Sequence, residues 1–233
     1  MIALQMKNLP NYLATLSSPS LITIVVHLTG YATSMPKSPT PRLIGERLAI
    51  DFANTPAYPG SRIRELGWDE VAAFLESTRI VSPERGANLM VLTRTDPQAA
   101  ETLLARATRL RDALRSAFSA IIRHEHITRE RIEPINQILR ITEGHDELAL
   151  CGNHWRLEFV AREGGTDWLL AAIARSGAEI ISEGPQARLR QCANPDCDLF
   201  FSDASRTHRR RWCSMAVCGN RHKVASFARR HAP

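Results

Sequence analysis

The chain is short of cysteine, of long apolar runs and of recognisable catalytic motifs, and each shortage removes a class of protein. Five cysteines in 233 residues are far from the density of a small disulfide scaffold. The most apolar stretch, residues 21–29, is broken by His27 and falls well short of the about 20 residues that a membrane span needs. As an export signal it sits late, behind a single Lys7, with no clear small-residue cleavage site. The expectation is therefore a cytoplasmic protein with no membrane contact, in a reducing compartment where paired cysteines more often mark a metal than a disulfide. No Ser-His-Asp spacing, glycine-rich phosphate loop or H-E-x-x-H occurs, so the chain is not expected to be an enzyme. No heptad seam is sustained, and the oligomeric state stays open, a homodimer included.

What is present is unevenly placed. Between Arg188 and Pro233 ten Arg or Lys face three Asp (Asp196, Asp198, Asp203), a net +7, while the whole chain carries +6, so everything upstream sums to about −1. A basic module on an electrostatically ordinary domain is the footprint of a nucleic-acid-binding arm. A hydrophobic share of 44% over this length supplies material for one large or two small cores.

Residues 1–41 are rich in Ser, Thr and Pro and end in a proline-dense stretch that disfavours helix, so they read as a flexible extension. Met35 offers an alternative start, and residues 21–28 an added strand or self-association segment. From 42 to 183 an α-rich domain is expected. Residues 47–52 suit a strand or a helical turn, 54–60 a loop, and Gly67 onward a helix with Asp69 and Glu70 in its first turn. Between Pro97 and His124, Leu103, Leu110, Leu114, Phe118 and Ile121 recur at helical spacing, with arginines 106, 109, 111 and 115 mostly between them. Residues 128–141 repeat the pattern, with Gly144 as a stop. Residues 148–161 alternate as one or two strands before a glycine turn. Asp167 is then the expected cap of a helix reaching Ile181, and Trp68, Trp155 and Trp168 fit as core or pocket walls. Gly184-Pro185 breaks the chain.

The C-terminal module, 188–232, is built around Cys192, Cys197, Cys213 and Cys218. They form two C-x4-C pairs with fifteen residues between them. Two pairs on tight turns supply the four soft ligands of one structural Zn2+. Cys151 is left over as a small core or half-exposed residue. After the first pair, residues 198–203 suit a hairpin strand whose Phe200 and Phe201 form the module's own small core with Trp212. Gly219 and Asn220 tolerate positive φ at the second turn. A helix from about Asn220 to Arg230 should turn Val224, Phe227 and Ala228 inward. Arg206, Arg209, Arg210, Arg211, Arg221, Lys223, Arg229 and Arg230 are the candidate DNA contacts. His208, His222 and His231 read as surface residues, because four cysteines already complete a tetrahedron. Upstream, Asp51, Asn54 and Thr55 either fix a turn by side-chain to backbone bonds or touch a ligand.

The stretch running Arg209-Arg210-Arg211-Trp212-Cys213-Ser214-Met215-Ala216-Val217-Cys218-Gly219-Asn220-Arg221 resembles the CGNR zinc finger, named for its last four residues. Leu48-Ala49-Ile50-Asp51-Phe52-Ala53-Asn54-Thr55 resembles the opening L-D-F-x-N-T motif of the ABATE domain that precedes that finger, with Ile50 in place of Leu. The resemblance implies a mainly α fold with a minor β element: an α-rich domain, then a four-cysteine knuckle and helix. It further implies a bacterial stress-induced transcription regulator whose α domain senses a small-molecule effector or a protein partner. An RNA-binding factor, or a protein-interaction adaptor using the same finger, is the alternative.

Overall fold

The computed structural model describes residues 44–81, 89, 91–141, 144–151, 154–161 and 166–231, the strands between 144 and 161 by their backbone alone. The expectations for residues 1–41, the glycine turn at 163–165 and the Cys151 side chain lie outside the described residues.

Helix α1 (Leu48–Asn54) settles the choice between strand and helical turn. Six of its seven residues are buried, so it has no polar face from which a period could be read. Helix α2 (Trp68–Ser77) starts at Gly67, whose N–H is taken by the Glu70 carboxylate at 3.1 Å, and its Phe74 meets Phe52 edge-on.

The longest element, α3 (Pro97–Arg123), follows its sequence signals closely. Asp96 caps it by accepting from Ala99 N–H at 3.0 Å, Pro97 occupies the first turn, and His124 ends it in left-handed conformation. Its stripe of Leu103, Leu110, Leu114 and Phe118 is wholly buried, each such side chain contributing about 1.5–3 kcal/mol. Helix α4 (Arg129–Ile141) packs on it through Ile135 and Ile138. Gly144 opens a strand instead of ending this helix: β1 (Gly144–Cys151) pairs antiparallel with β2 (His154–Ala161). Asp167 likewise opens a 3-10 turn (Asp167–Leu170), and α5 (Ala171–Glu183) starts after Leu170 with no side-chain cap. Gly177 of α5 lies against Leu114 and Ala49, where a Cβ would collide with the leucine.

The remainder is the cysteine module. Strand β3 (Leu189–Gln191) pairs antiparallel with β4 (Phe200–Ser202), Gln191 opposite Phe200. A π-helical turn (Met215–Gly219) then leads into α6 (Asn220–Arg230). The molecule is thus mainly α, with short antiparallel hairpins and a C-terminal helix.

Three expectations for this module fail. Phe200 does not join a private core; it enters the helical domain's core with Leu189, 5.9 Å from the Phe118 ring. The module's smaller core of Leu199, Phe201 and the four cysteines is in turn completed by Ile44 and Ala57 from the helical domain. A segment this short buries little on its own, and it is finished by its neighbour. Second, Gly219 and Asn220 are helical, with φ of −63° and −67°, because the turn continues directly into α6. Third, α6 has no buried residue: Val224 is 69% and Phe227 58% exposed, and Ala228 is exposed too.

Candidate metal centre and nucleic-acid interface

Two tight turns deliver the four cysteines. In the first, Asn194 accepts the Asp196 N–H on its side chain and the Cys197 N–H on its carbonyl, folding the chain back so that Cys192 N–H reaches Leu199 O at 2.9 Å. In the second, Ser214 caps the π-helical turn by accepting from Val217 N–H at 3.3 Å. All four sulfurs are buried and lie within 4.8 Å of one another. Cys197–Cys213 and Cys213–Cys218 are 3.6 and 3.7 Å apart. A disulfide requires about 2.05 Å, and all four are free thiols. A tetrahedron with Zn–S bonds of about 2.3 Å has edges of about 3.8 Å, so the cluster fits zinc.

The surroundings prepare the sulfurs for negative charge. Gly60 N–H donates to Cys197 Sγ at 3.3 Å, Cys213 N–H to Cys192 Sγ at 3.4 Å, and Asn194 Nδ2 to Cys218 Sγ at 3.5 Å. Cys192, Cys197 and Cys213 share protons unequally. The hydrogen bond from Cys192 holds Cys197 far below the usual thiol range, while the same bond pushes Cys192 up to about 11 and bonds from Cys192 and Cys197 push Cys213 higher. A divalent cation held there would displace those protons and offset about half of the negative charge on four thiolates. Among the described residues, His208, His222 and His231 take no part in the cluster: His208 meets Arg188, His222 faces Trp212, and His231 stacks on Phe227.

The cations divide by what holds them. Arg210 is built into the scaffold: its guanidinium donates to Trp212 O and Cys213 O, pairs with Glu46 and lies over the Phe201 ring. Arg221 donates to Gly60 O at 2.9 Å. Arg206, Arg209, Arg211, Lys223, Arg229 and Arg230 are exposed, with Arg211 over the Trp212 ring. The loop bearing Arg206 and Arg209 is pinned by Asp203, which is fully buried. Its carboxylate accepts from Ser205 Oγ at 2.6 Å and Arg210 N–H at 3.1 Å, and pairs with Arg190 at 3.0 Å. Burial raises the Asp203 pKa, but these bonds and the Arg190 charge outweigh it and leave it below the usual range. An Asp two residues before a Ser is a turn signal, but nothing in the sequence marks it as an anchor for the arginine loop.

The upstream motif does its work at the joint. Asp51 Oδ1 accepts from Ile44 and Gly45 N–H, and Thr55 Oγ1 donates to Asp51 O. Burial pushes the Asp51 pKa up to about 6, against the lowering effect of those two N–H bonds. Asn54 reaches across 146 positions to Phe200, donating to its carbonyl and accepting its N–H, both at 2.8 Å. Beside it, Arg115 of α3 donates to Ala53 O and to Asp198 O, and burial lowers its pKa. Arg111 is buried too and donates to Arg64 O. These inward arginines and the bridging Asn54 are invisible to helical period, because their partners are backbone groups distant in sequence: Ala53 in α1, Arg64, Asp198, and Phe200 in β4.

Comparison with known proteins agrees with this architecture. No curated protein matches the chain. Two family models do: the CGNR zinc finger over residues 188–231, and ABATE, described as "Putative stress-induced transcription regulator", over residues 46–184. The second spans more than half of the 233 residues, and its end meets the start of the first at the Gly184–Ala187 turn. The chain belongs to the ABATE family and carries the CGNR zinc finger at its C-terminal end.

Proposed function

We propose that this protein regulates transcription by binding duplex DNA through its C-terminal module, with one structural Zn2+ held by Cys192, Cys197, Cys213 and Cys218 and the helical domain sensing a ligand or partner. The observation that carries the reading is α6. It has no buried residue and no acid among its eleven. A helix that short is marginal alone in water, so a partner surface is expected to complete it, and its charge selects an anionic one. The exposed Arg206, Arg209 and Arg211 lie close in sequence to a ligand cysteine, on a loop that Asp203 holds rigid. Four thiolates close the metal's coordination sphere, which supports a structural over a catalytic ion. Reduced thiols suit the cytoplasm. Arg210 and Arg221 are assigned to positioning the module, not to phosphate.

Arg206→Ala combined with Arg209→Ala tests this. The pair has no carboxylate partner among the described residues, so zinc content should stay unchanged, while DNA affinity falls and the log–log salt slope loses about 1–2. Unchanged affinity would reduce the loop to a solvated face. Val224 and Phe227, exposed on the same helix, favour a second reading in which the finger docks a protein; binding to that partner would be nearly salt-independent.

A further inference from the structure

A cleft of about 570 Å3 opens where the end of α3 meets β3 and the loop before Cys213. Ile121 and Ile122 form one wall, and Arg188, Arg190, Arg210 and Arg211 are among the residues opposite, with Asp203 and His208 between them. Two of these guanidiniums are neutralised, Arg190 by Asp203 and Arg210 by Glu46. Arg188 and Arg211 have no carboxylate partner among the described residues; Arg188 meets only His208, Nη1 to Nε2 at 2.8 Å, and Arg211 only the Trp212 ring. Two uncompensated positive charges thus face one concave space with an apolar wall, where attraction for an anion exceeds that on an open surface.

A second observation points to the same place. Arg188 and His208 both have positive φ, at 50° each; Arg188 ends the Gly184–Ala187 turn by donating its N–H to Pro185 O, and His208 closes a turn on Ser205 O. These two left-handed turn ends bring the side chains together on the cleft wall, Arg188 Nη1 against His208 Nε2. His208 Nδ1 lies 3.2 Å from Asp203 O, which suits a ring that donates there and accepts from Arg188 through Nε2. An incoming anion would take over the Arg188 donors.

We propose that this cleft binds a phosphoryl-bearing anion between Arg188 and Arg211. Cys192 follows β3 directly and Cys213 lies two residues after Arg211, so an anion drawing these arginines together acts on both cysteine turns at once. This moves the sensing proposed above to the cleft that the end of α3 forms with the cysteine module and rests on that reading, but the measurement does not need DNA, so the two are judged separately.

Inorganic pyrophosphate is the probe, titrated calorimetrically into the full-length, zinc-loaded protein with zinc content checked before and after. Two variants control for folding: Arg188→Ala removes one cation, and Gln191→Glu places a carboxylate at the cleft edge without changing side-chain length. Saturable binding at one site per chain, weakened about tenfold by each variant, is the expected result. No binding, or binding that both variants leave unchanged, would overturn the proposal. Repeating the titration at saturating duplex DNA identifies the source of the phosphoryl group. Undiminished pyrophosphate binding means a free anion is the ligand, and the variants then keep wild-type DNA affinity. Displacement means the cleft takes a phosphate of the DNA backbone, and the variants then lose DNA affinity in parallel.

Discussion

Asp51 is a carboxylate kept where water hardly reaches, 7% exposed, and both of its N–H bonds end on the same oxygen, Oδ1. That arrangement fixes the sign of its effect on stability. Its folded pKa, about 6, lies above the ordinary 3.8, so folding favours the protonated form. The resulting stabilisation is fully present below about pH 4 and is lost as pH rises through 6, a swing of about 3 kcal/mol at most. An asparagine at this position would retain the Oδ1 acceptor and carry no charge. In Asp51→Asn, stability relative to wild type should therefore grow between pH 4 and 7 in denaturant melts, and comparing the two proteins cancels the acid sensitivity of the thiolates. Parallel curves over that range would show that Asp51 stays ionised and well solvated. Asn54, three residues on, shows that this motif serves assembly: the side chain that a loop position made eligible for ligand contact is committed to the Phe200 backbone.

At the level of elements, the loop after α1 bears on the metal as directly as the cysteine turns do. Gly60 has φ of +80°, donates its N–H to Cys197 Sγ and accepts from Arg221. An alanine there would cost about 1–2 kcal/mol in backbone strain, and its Cβ would meet the Arg221 guanidinium. Gly60→Ala should therefore lose zinc to a competing chelator about tenfold faster, with far-ultraviolet circular dichroism unchanged. Equal rates would detach the loop from the metal site. Sequence makes some of these elements plain and leaves others hidden. Helix α3 is readable from end to end because cap, proline and a one-sided apolar stripe agree. The four ligands are readable because cysteine pairs have few other uses in such a chain. Helix α1 is ambiguous because burial on every side erases the period. Val224 and Phe227 mislead because an apolar stripe on a helix ordinarily faces its own core, and here it faces solvent.

Over the whole molecule, the helical domain and the finger share their interior. The described residues lie in one compact unit, in which Phe200 fills the larger core while Ile44 and Ala57 close the smaller one. A bound structural zinc, which contributes about 10–16 kcal/mol to folding, would thereby stabilise more than its own loops, because the β3–β4 hairpin beside it is part of the helical domain's packing. Among the described residues no helix is long and apolar enough to cross a membrane, and the exposed charge of the finger is overwhelmingly positive. If zinc shapes this basic surface for DNA, the property to measure is duplex DNA affinity of the full chain across a salt series, with zinc quantified and a chelated sample alongside. One zinc per chain is expected, with an affinity that falls steeply with salt, at a log–log slope of about −0.9 for each phosphate neutralised, and that disappears on chelation. Zinc-loaded protein with no DNA affinity, or affinity that survives both salt and chelator, would contradict that role for zinc.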